Sequence, residues 1–369
     1  MNFESLFIQP VASHLTLNSL AIIMCQVIFI VSLGLTLGAV SFSLLYAKMA
    51  ANHNEGYVKR FSQDIMNYLF INKWAAFGLG TLSLTSITLL RGSYLYGSNT
   101  QAFAYLVFAF VFIAFGYSFA GGYFSYNRMN QLKEKYNDHQ DDHIVVGSQI
   151  SGWISVVLIL IGLFYYVAAE ELASNESVWS KSTEIYAVMA NSVVWAKYFL
   201  LVFLAYATAS IAALFRFFND QTIELDDEYA NVVKRRTIGL ALNFIVLLPL
   251  FALWEIYMQP EYRISYTAIL CKLGAVIGIY ATLQMLWALK NGSKTRFDKL
   301  AFPLFILVIF TYAVSDDASF RYGARSHIAK IELADYTRSA HHGESKEAQN
   351  SDHTKESSES TTSAPKTEH

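Results

Sequence analysis

Eight long apolar segments, separated by shorter charged ones, constrain this chain more than any other feature of its sequence. A hydrocarbon core about 30 Å thick takes about 20 apolar residues of helix, and backbone polar groups inside it must bond within the protein. The segments therefore predict membrane-spanning helices and argue against a soluble enzyme. We place the spans at Ser19–Ala47, Trp74–Leu90, Ala102–Phe124, Val145–Ala168, Ala187–Phe217, Ile238–Tyr257, Tyr266–Leu289 and Leu300–Val314.

The pattern predicts an all-α polytopic membrane protein built as two four-helix bundles. The acidic stretch Glu170–Glu184 lies midway and separates four spans from four. The expected parts are a first bundle over 1–170, an external linker over 171–186, a second bundle over 187–316, an external amphipathic segment over 317–340 and a polar tail over 341–369. The tail has almost no apolar residues, so we expect it to be disordered.

The distribution of Lys and Arg predicts the orientation, because cytoplasmic loops carry an excess of both. Fifteen Lys and Arg residues lie in or beside the loops after spans one, three, five and seven, whereas the alternate short loops hold Arg91, Lys181 and Arg263. Odd-numbered loops are therefore expected in the cytoplasm. The chain is predicted to reside in a bacterial inner membrane with both termini in the periplasm.

Five ionisable residues lie inside or at the ends of spans, where a charge is costly and marks a functional candidate. They are Arg91, Lys197, Glu255, Lys272 and Asp316, and the predicted orientation brings all five towards the outer side. One interpretation is a charged cavity for a ligand, a quinol head group or a proton path. The other is ion pairing that fixes helix packing, or lysine side chains that extend to the outer surface.

Other function classes find no support in the residues. The net charge of −2 does not favour nucleic acid. Cys25 and Cys271 form no CxxC motif, and no Walker, GxSxG or HExxH motif is present. None of the nine histidines falls in the middle of a span, where a membrane b-type haem usually finds its ligands. We therefore expect no metal and no cofactor in this chain.

The first two spans resemble the start of cytochrome bd oxidase subunit I. The similarity lies in MCQVIFIVSLGLTLGAVSFSLLYAKM, Met24–Met49, and KRFSQDIMNYLFINKWAAFGLG, Lys59–Gly80, of which Ile71–Gly80 is the most specific piece. The resemblance implies an outward N-terminus and two four-helix bundles. It is closest to the shortened, haem-poor membrane domains of this type that accompany a periplasmic cytochrome c.

The sequence departs from that family where the family holds its haem. The haem-ligating histidine of the first helix aligns with Gln26, and the neighbourhood of the fifth-helix ligand reads SVVWAKYF, with Trp195 and Lys197. The long outer quinol-binding loop is reduced to Gln259–Ser265, and span three lacks the family's carboxylates. Lys197 and Glu255 are expected to fill space that haem occupies in true oxidases.

The resemblance thus implies a non-catalytic subunit of a respiratory oxidoreductase complex, which anchors a periplasmic redox partner such as a cytochrome c and could still contact quinol. Any haem of the complex would then belong to a partner chain. Two alternatives stay open: a transporter or channel that uses the charged residues, and a membrane scaffold or sensor that binds partners through the tail His341–His369.

Overall fold

The fold consists of helices throughout the part of the chain that the structure describes. This computed structural model describes residues 12–53, 56–70, 72–96, 98, 101–135, 142–176, 179, 185–219, 226–291, 297–334 and 336–337. The helices are α1 (Ala12–His53), α2 (Gly56–Leu69), α3 (Lys73–Tyr94), α4 (Ala102–Lys135), α5 (Asp142–Ser174), α6 (Ile185–Met189), α7 (Ser192–Asn219), α8 (Asp227–Met258), α9 (Tyr266–Lys290), α10 (Phe297–Gly323) and α11 (325–334). A 3₁₀ turn, Glu261–Arg263, joins α8 to α9.

Seven of these helices are long and apolar enough to cross a membrane. They are α1, α4, α5, α7, α8, α9 and α10. This confirms an all-α polytopic membrane protein. The eighth predicted span corresponds to α3, which is not among the seven, so the count of eight and the side on which the termini lie stay predictions.

Helix α3 differs from the seven apolar helices because it carries several polar side chains, although its length suits a span. Its 22 residues correspond to about 33 Å at 1.5 Å per residue. The hydroxyls of Thr81, Thr85 and Thr88 donate to carbonyls four residues earlier, at 2.6–2.8 Å. Side-chain polarity satisfied in this way lowers the mean hydropathy without leaving a bare hydroxyl in lipid.

The helices pack as two rings of four. One ring contains α1, α3, α4 and α5, and the other contains α7, α8, α9 and α10. Helices α1 and α5 of the first ring contact α7 and α10 of the second. The approach of α1 to α7 is closest at two glycines, since a Cβ on Gly34 would lie 2.7 Å from the carbonyl oxygen of Ala205 and one on Gly38 would overlap Ala209.

Helix α2 packs along the C-terminal half of α1 and also contacts α7. One face of α2 is buried, and its Phe61 lies 4.9 Å from the ring of Tyr46 and 6.1 Å from that of Phe217. Helix α2 also contacts α8, where the Tyr229 hydroxyl donates to Asp64 of α2 at 2.7 Å. Helix α2 therefore ties both rings together at the end opposite to the charged residues described below.

Several helices extend past the boundaries predicted from hydropathy, and in α5 and α10 the extension carries buried charged residues. Helix α5 continues to Ser174, so Glu170 and Glu171 are helical and buried instead of lying in an acidic loop. Helix α10 continues to Gly323, and Asp317 is buried within it instead of starting an external segment. Hydropathy ends each span at its first charges, but Ala, Glu and Leu are good helix formers and these carboxylates have basic partners. The predicted tail, 341–369, lies outside the described residues.

Candidate functional site

The candidate site is a set of buried charged residues at one end of the bundle, which we call the outer end because the predicted orientation places it in the periplasm. The C-terminal ends of α3, α5, α8 and α10 meet the N-terminal ends of α7 and α9 there. We define the central network as the charged residues Arg91, Glu170, Lys197, Asp316 and Asp317, all of which are buried.

Lys197 is the centre of this network. Its Nζ donates to Glu170 Oε2 of α5 and to Asp316 Oδ1 of α10. Arg91 of α3 lies on the other side of the same carboxylates: Nη2 is 3.5 Å from Glu170 Oε1 and 3.9 Å from Asp316 Oδ2, and Nη1 is 3.4 Å from Asp317 Oδ1. Four helices are thus joined through two cations and three anions.

Helix α1 enters the network through neutral side chains. Gln26 is buried, and its Nε2 donates to Asp316 Oδ2 at 2.8 Å. Ser19 Oγ donates to Asp317 Oδ2 at 2.6 Å. The residue at position 26, where the resemblance expects a haem ligand, therefore binds a carboxylate of α10.

A second group lies beside the central network, between α8 and α9. Lys272 Nζ donates to Glu255 Oε1 at 2.9 Å and to Gln259 Oε1 at 3.1 Å. The Gln259 amide in turn donates to Ser319 Oγ of α10 at 3.0 Å. Ser319 lies on α10 close to Asp316, so this pair continues the polar layer towards the second ring.

A third group of charged residues completes the layer, at the turn between α8 and α9. Arg263, in the turn between α8 and α9, pairs with Glu171 of α5, and the Tyr262 hydroxyl donates to Glu171 at 3.2 Å. Burial alone would lower the pKa of Arg263, but Glu171 and the other nearby carboxylates raise it above its ordinary value. Arg263 is therefore a permanent charge, held by its partner.

The structure thus brings Arg91, Lys197 and Asp316 into one network and places Glu255 and Lys272 in a neighbouring pair. Sequence reasoning missed the partners Glu170, Glu171, Asp317 and Arg263, all of which are buried. Only their position just past an apolar run could have indicated them. A charge that directly follows a span can still be helical and buried.

The layer is electrically balanced. In the central network, Arg91 and Lys197, together with Arg321, whose Nε lies 2.9 Å from Asp317, offset three carboxylates. The other two pairs each combine one cation with one anion. Because the effective cost of burying one ion is several kcal/mol, this balance keeps the layer stable in a medium of low polarity.

Several polar atoms of the layer nevertheless lack a hydrogen-bond partner among the described residues. They include all three guanidinium nitrogens of Arg91, together with Gln26 Oε1, Glu255 Oε2 and Asp317 Oδ1. The Arg91 guanidinium carbon instead lies 3.8 Å from the centre of the Phe320 ring, a favourable cation–π arrangement. Water can satisfy both the donors of Arg91 and these oxygen acceptors.

The residues of the layer do not fit a haem iron. Gln26 and Lys197, at or near the positions where the resemblance expects ligands, are engaged by Asp316. His327 is the one histidine whose side chain the structure describes, and its Nε2 lies 3.0 Å from the Tyr96 carbonyl oxygen. That the chain holds no haem remains a prediction.

Comparisons with known proteins do not extend this classification. A scan against protein-family models finds no match, and a search of the curated proteins finds no significant relative. The fold and the site thus define a class, an all-helical polytopic membrane protein with a buried, balanced layer of ion pairs. The resemblance to cytochrome bd subunit I depends on its sequence motifs alone.

Proposed function

We propose that this chain is a membrane subunit similar to cytochrome bd subunit I that has lost its haem groups. It would act as an anchoring or electron-transfer-associated component of a respiratory complex in a bacterial inner membrane. The supporting observation is that Gln26 and Lys197, from α1 and α7, both bind Asp316 of α10. In the family that the motifs resemble, ligands at these places hold haem.

In this proposal, ion pairs replace haem as the link between the helices. A haem joins helices by coordination and fills the space between them. Here Lys197, Arg91 and their carboxylates join α3, α5, α7 and α10 by charge-assisted hydrogen bonds and ion pairs, which are the stronger class of polar contact. A scaffold can thus keep its helix arrangement after its cofactor is lost.

The outer end also offers a surface for a redox partner. Helix α11 docks there, where the His327 amide donates to Glu176 at 3.0 Å and Ser326 binds the same carboxylate. Beyond that contact, Leu333 is 66% and Tyr336 75% exposed. In this proposal, these two exposed apolar side chains form part of the contact with the partner. A periplasmic cytochrome c is the partner that the resemblance implies.

The test is to purify the chain from its native membranes in a mild detergent and to stain the separated subunits for covalent haem. The proposal predicts a haem-bearing partner that co-purifies with the chain, while the chain itself stays free of haem. The variant Leu333→Ser/Tyr336→Ser removes the proposed contact. It should reduce co-purification without changing the yield of the chain. If no redox protein accompanies the intact chain, the proposed role is wrong.

A second function is favoured by the buried polar atoms of Arg91, Gln26 and Asp317 that lack a hydrogen bond among the described residues, because they could form part of a path for protons or small ions. That function predicts flux through proteoliposomes that is lost in Lys272→Ala and kept in the surface variant Lys48→Ala. Absence of flux in the wild-type protein would exclude it and would leave the respiratory subunit as the better proposal.

A further inference from the structure

A depression of about 440 Å³ opens between α3 and α4 at the end of the bundle opposite to the charged layer. The start of α3 and the C-terminal half of α4 line it, with Asn72, Lys73, Trp74, Phe124, Arg128 and Met129 among the lining residues. The Lys and Arg distribution places this end at the cytoplasmic face.

Its two cations differ from those of the charged layer. Each buried cation at the outer end has a carboxylate partner, whereas neither Lys73 nor Arg128 has an ion pair with any described residue. Lys73 Nζ instead lies 5.7 Å from the Trp74 ring centre, and Trp74 is 72% exposed. The depression thus presents two positive charges that no described carboxylate offsets, beside an interfacial tryptophan.

An apolar groove of about 390 Å³ begins at the same place and runs between α1 and α3. Its walls include Val31, Leu35, Leu69, Ala75 and Leu79. Asn72 lines both the groove and the depression, so they meet at the first turn of α3. One end of the combined site is cationic, and the other is an apolar groove.

We propose that this combined site binds an anionic phospholipid. The phosphate would contact Lys73 and Arg128 at the depression, and one acyl chain would lie in the groove between α1 and α3. Charge complementarity favours an anionic head group, since basic pockets between membrane helices on the cytoplasmic side select such lipids. The groove favours a lipid over a free phosphate ion, because only a lipid also covers the apolar walls.

The experiment is native mass spectrometry of the full, delipidated protein, titrated with phosphatidylglycerol or with phosphatidylcholine of the same chains. Lys73→Ala/Arg128→Ala should weaken the binding of phosphatidylglycerol about thirtyfold, at about fivefold for each basic side chain near an anionic lipid. The matched control, Lys48→Ala/Arg235→Ala, removes one exposed Lys and one exposed Arg outside the site and should keep the wild-type affinity. Circular dichroism checks that every variant is folded.

A second variant tests the groove separately. Ala75→Phe places a ring in the groove and leaves both cations in place, so it should weaken the binding of phosphatidylglycerol. The proposal is overturned if the two lipids bind equally, if the site variant and its control lose affinity equally, or if inorganic phosphate competes as well as the lipid. It is also overturned if Ala75→Phe leaves the lipid affinity unchanged.

Discussion

A single ammonium group, that of Lys197, serves two buried carboxylates on different helices. This makes it the residue whose loss should be felt most. Without it, Glu170 and Asp316 would face each other in a buried region with Arg91 as the nearest cation, at 3.5 Å or more. An uncompensated buried charge is far more costly than an intact ion pair.

Lys197→Met should therefore lower the free energy of unfolding by about 3–5 kcal/mol. Adding Glu170→Gln restores the balance of charge and should recover part of that loss. The measurement is denaturant unfolding of the purified protein in detergent micelles, with Lys48→Met as the exposed control. If Lys197→Met unfolds like the control, the network does not stabilise the bundle.

His327 is a second residue whose environment makes a prediction. Burial lowers its pKa below 6.5, and the Tyr96 carbonyl and Glu176 oppose that effect only in part. Its ring lies 4.9 Å from that of Trp179 in an edge-to-face arrangement. The folded state therefore favours the neutral imidazole, so the stability that His327 contributes is present above pH 6.5 and is lost as the pH falls through its lowered pKa.

Docking of α11 should accordingly weaken on acidification from pH 7.5 to pH 5. Hydrogen exchange of amides 325–334 measures it, and faster exchange is expected at the lower pH after correction for the intrinsic rate. His327→Gln keeps a donor for the Tyr96 carbonyl but cannot be protonated, so its docking should change little with pH. An equal pH response in wild type and variant would show that another group is responsible.

Among the helices, the contact between α1 and α7 depends most on side-chain size. Gly34 and Gly38 let the two backbones approach until Gly38 faces Ala209 without space for a methyl group. In lipid, no hydrophobic effect drives helices together, because acyl chains are as apolar as the helix surface. Helix association therefore depends on close packing, which small residues allow. This contact also joins the two rings of the bundle.

Gly38→Ala should destabilise the protein by about 1–3 kcal/mol through overpacking, despite the better helix propensity of alanine. Gly78→Ala on α3 is the control, since a methyl group there meets no atom within 4 Å. That variant should be neutral or more stable by up to about 1 kcal/mol. Thermal unfolding of both in the same detergent tests the contrast, and equal effects would contradict the close packing.

For the whole molecule, the number of spans depends on whether α3 crosses the membrane. If it does, residues before and after it lie on opposite sides, and both termini share the outer side. In a protein with Cys25 and Cys271 replaced by serine, a membrane-impermeant thiol reagent should label Gln101→Cys in intact cells and Asn52→Cys only after lysis. Labelling of both under the same condition would mean seven spans.

The sequence was sufficient for the class of fold because the apolar runs are local signals. Each predicted span overlaps a helix, although the polar, glycine-containing α3 is not among the seven helices that are long and apolar enough to cross a membrane. The charged layer is different, because Gln26 and Asp316 are 290 residues apart and Glu170 and Lys197 are 27 apart. Sequence analysis identified some of these charges as costly but could not pair them, and it assigned Glu170 and Asp317 to external segments.

We propose that ion pairs, and not haem, hold the outer end of this bundle. The most direct test is a pyridine haemochrome assay, with a reduced-minus-oxidised visible spectrum, on the chain produced alone in cells supplied with haem and purified in detergent. We expect no b- or d-type absorbance above the level of a few per cent haem per chain. Stoichiometric haem would contradict it, and the assignment of Gln26 and Lys197 to a network without a cofactor would then be wrong.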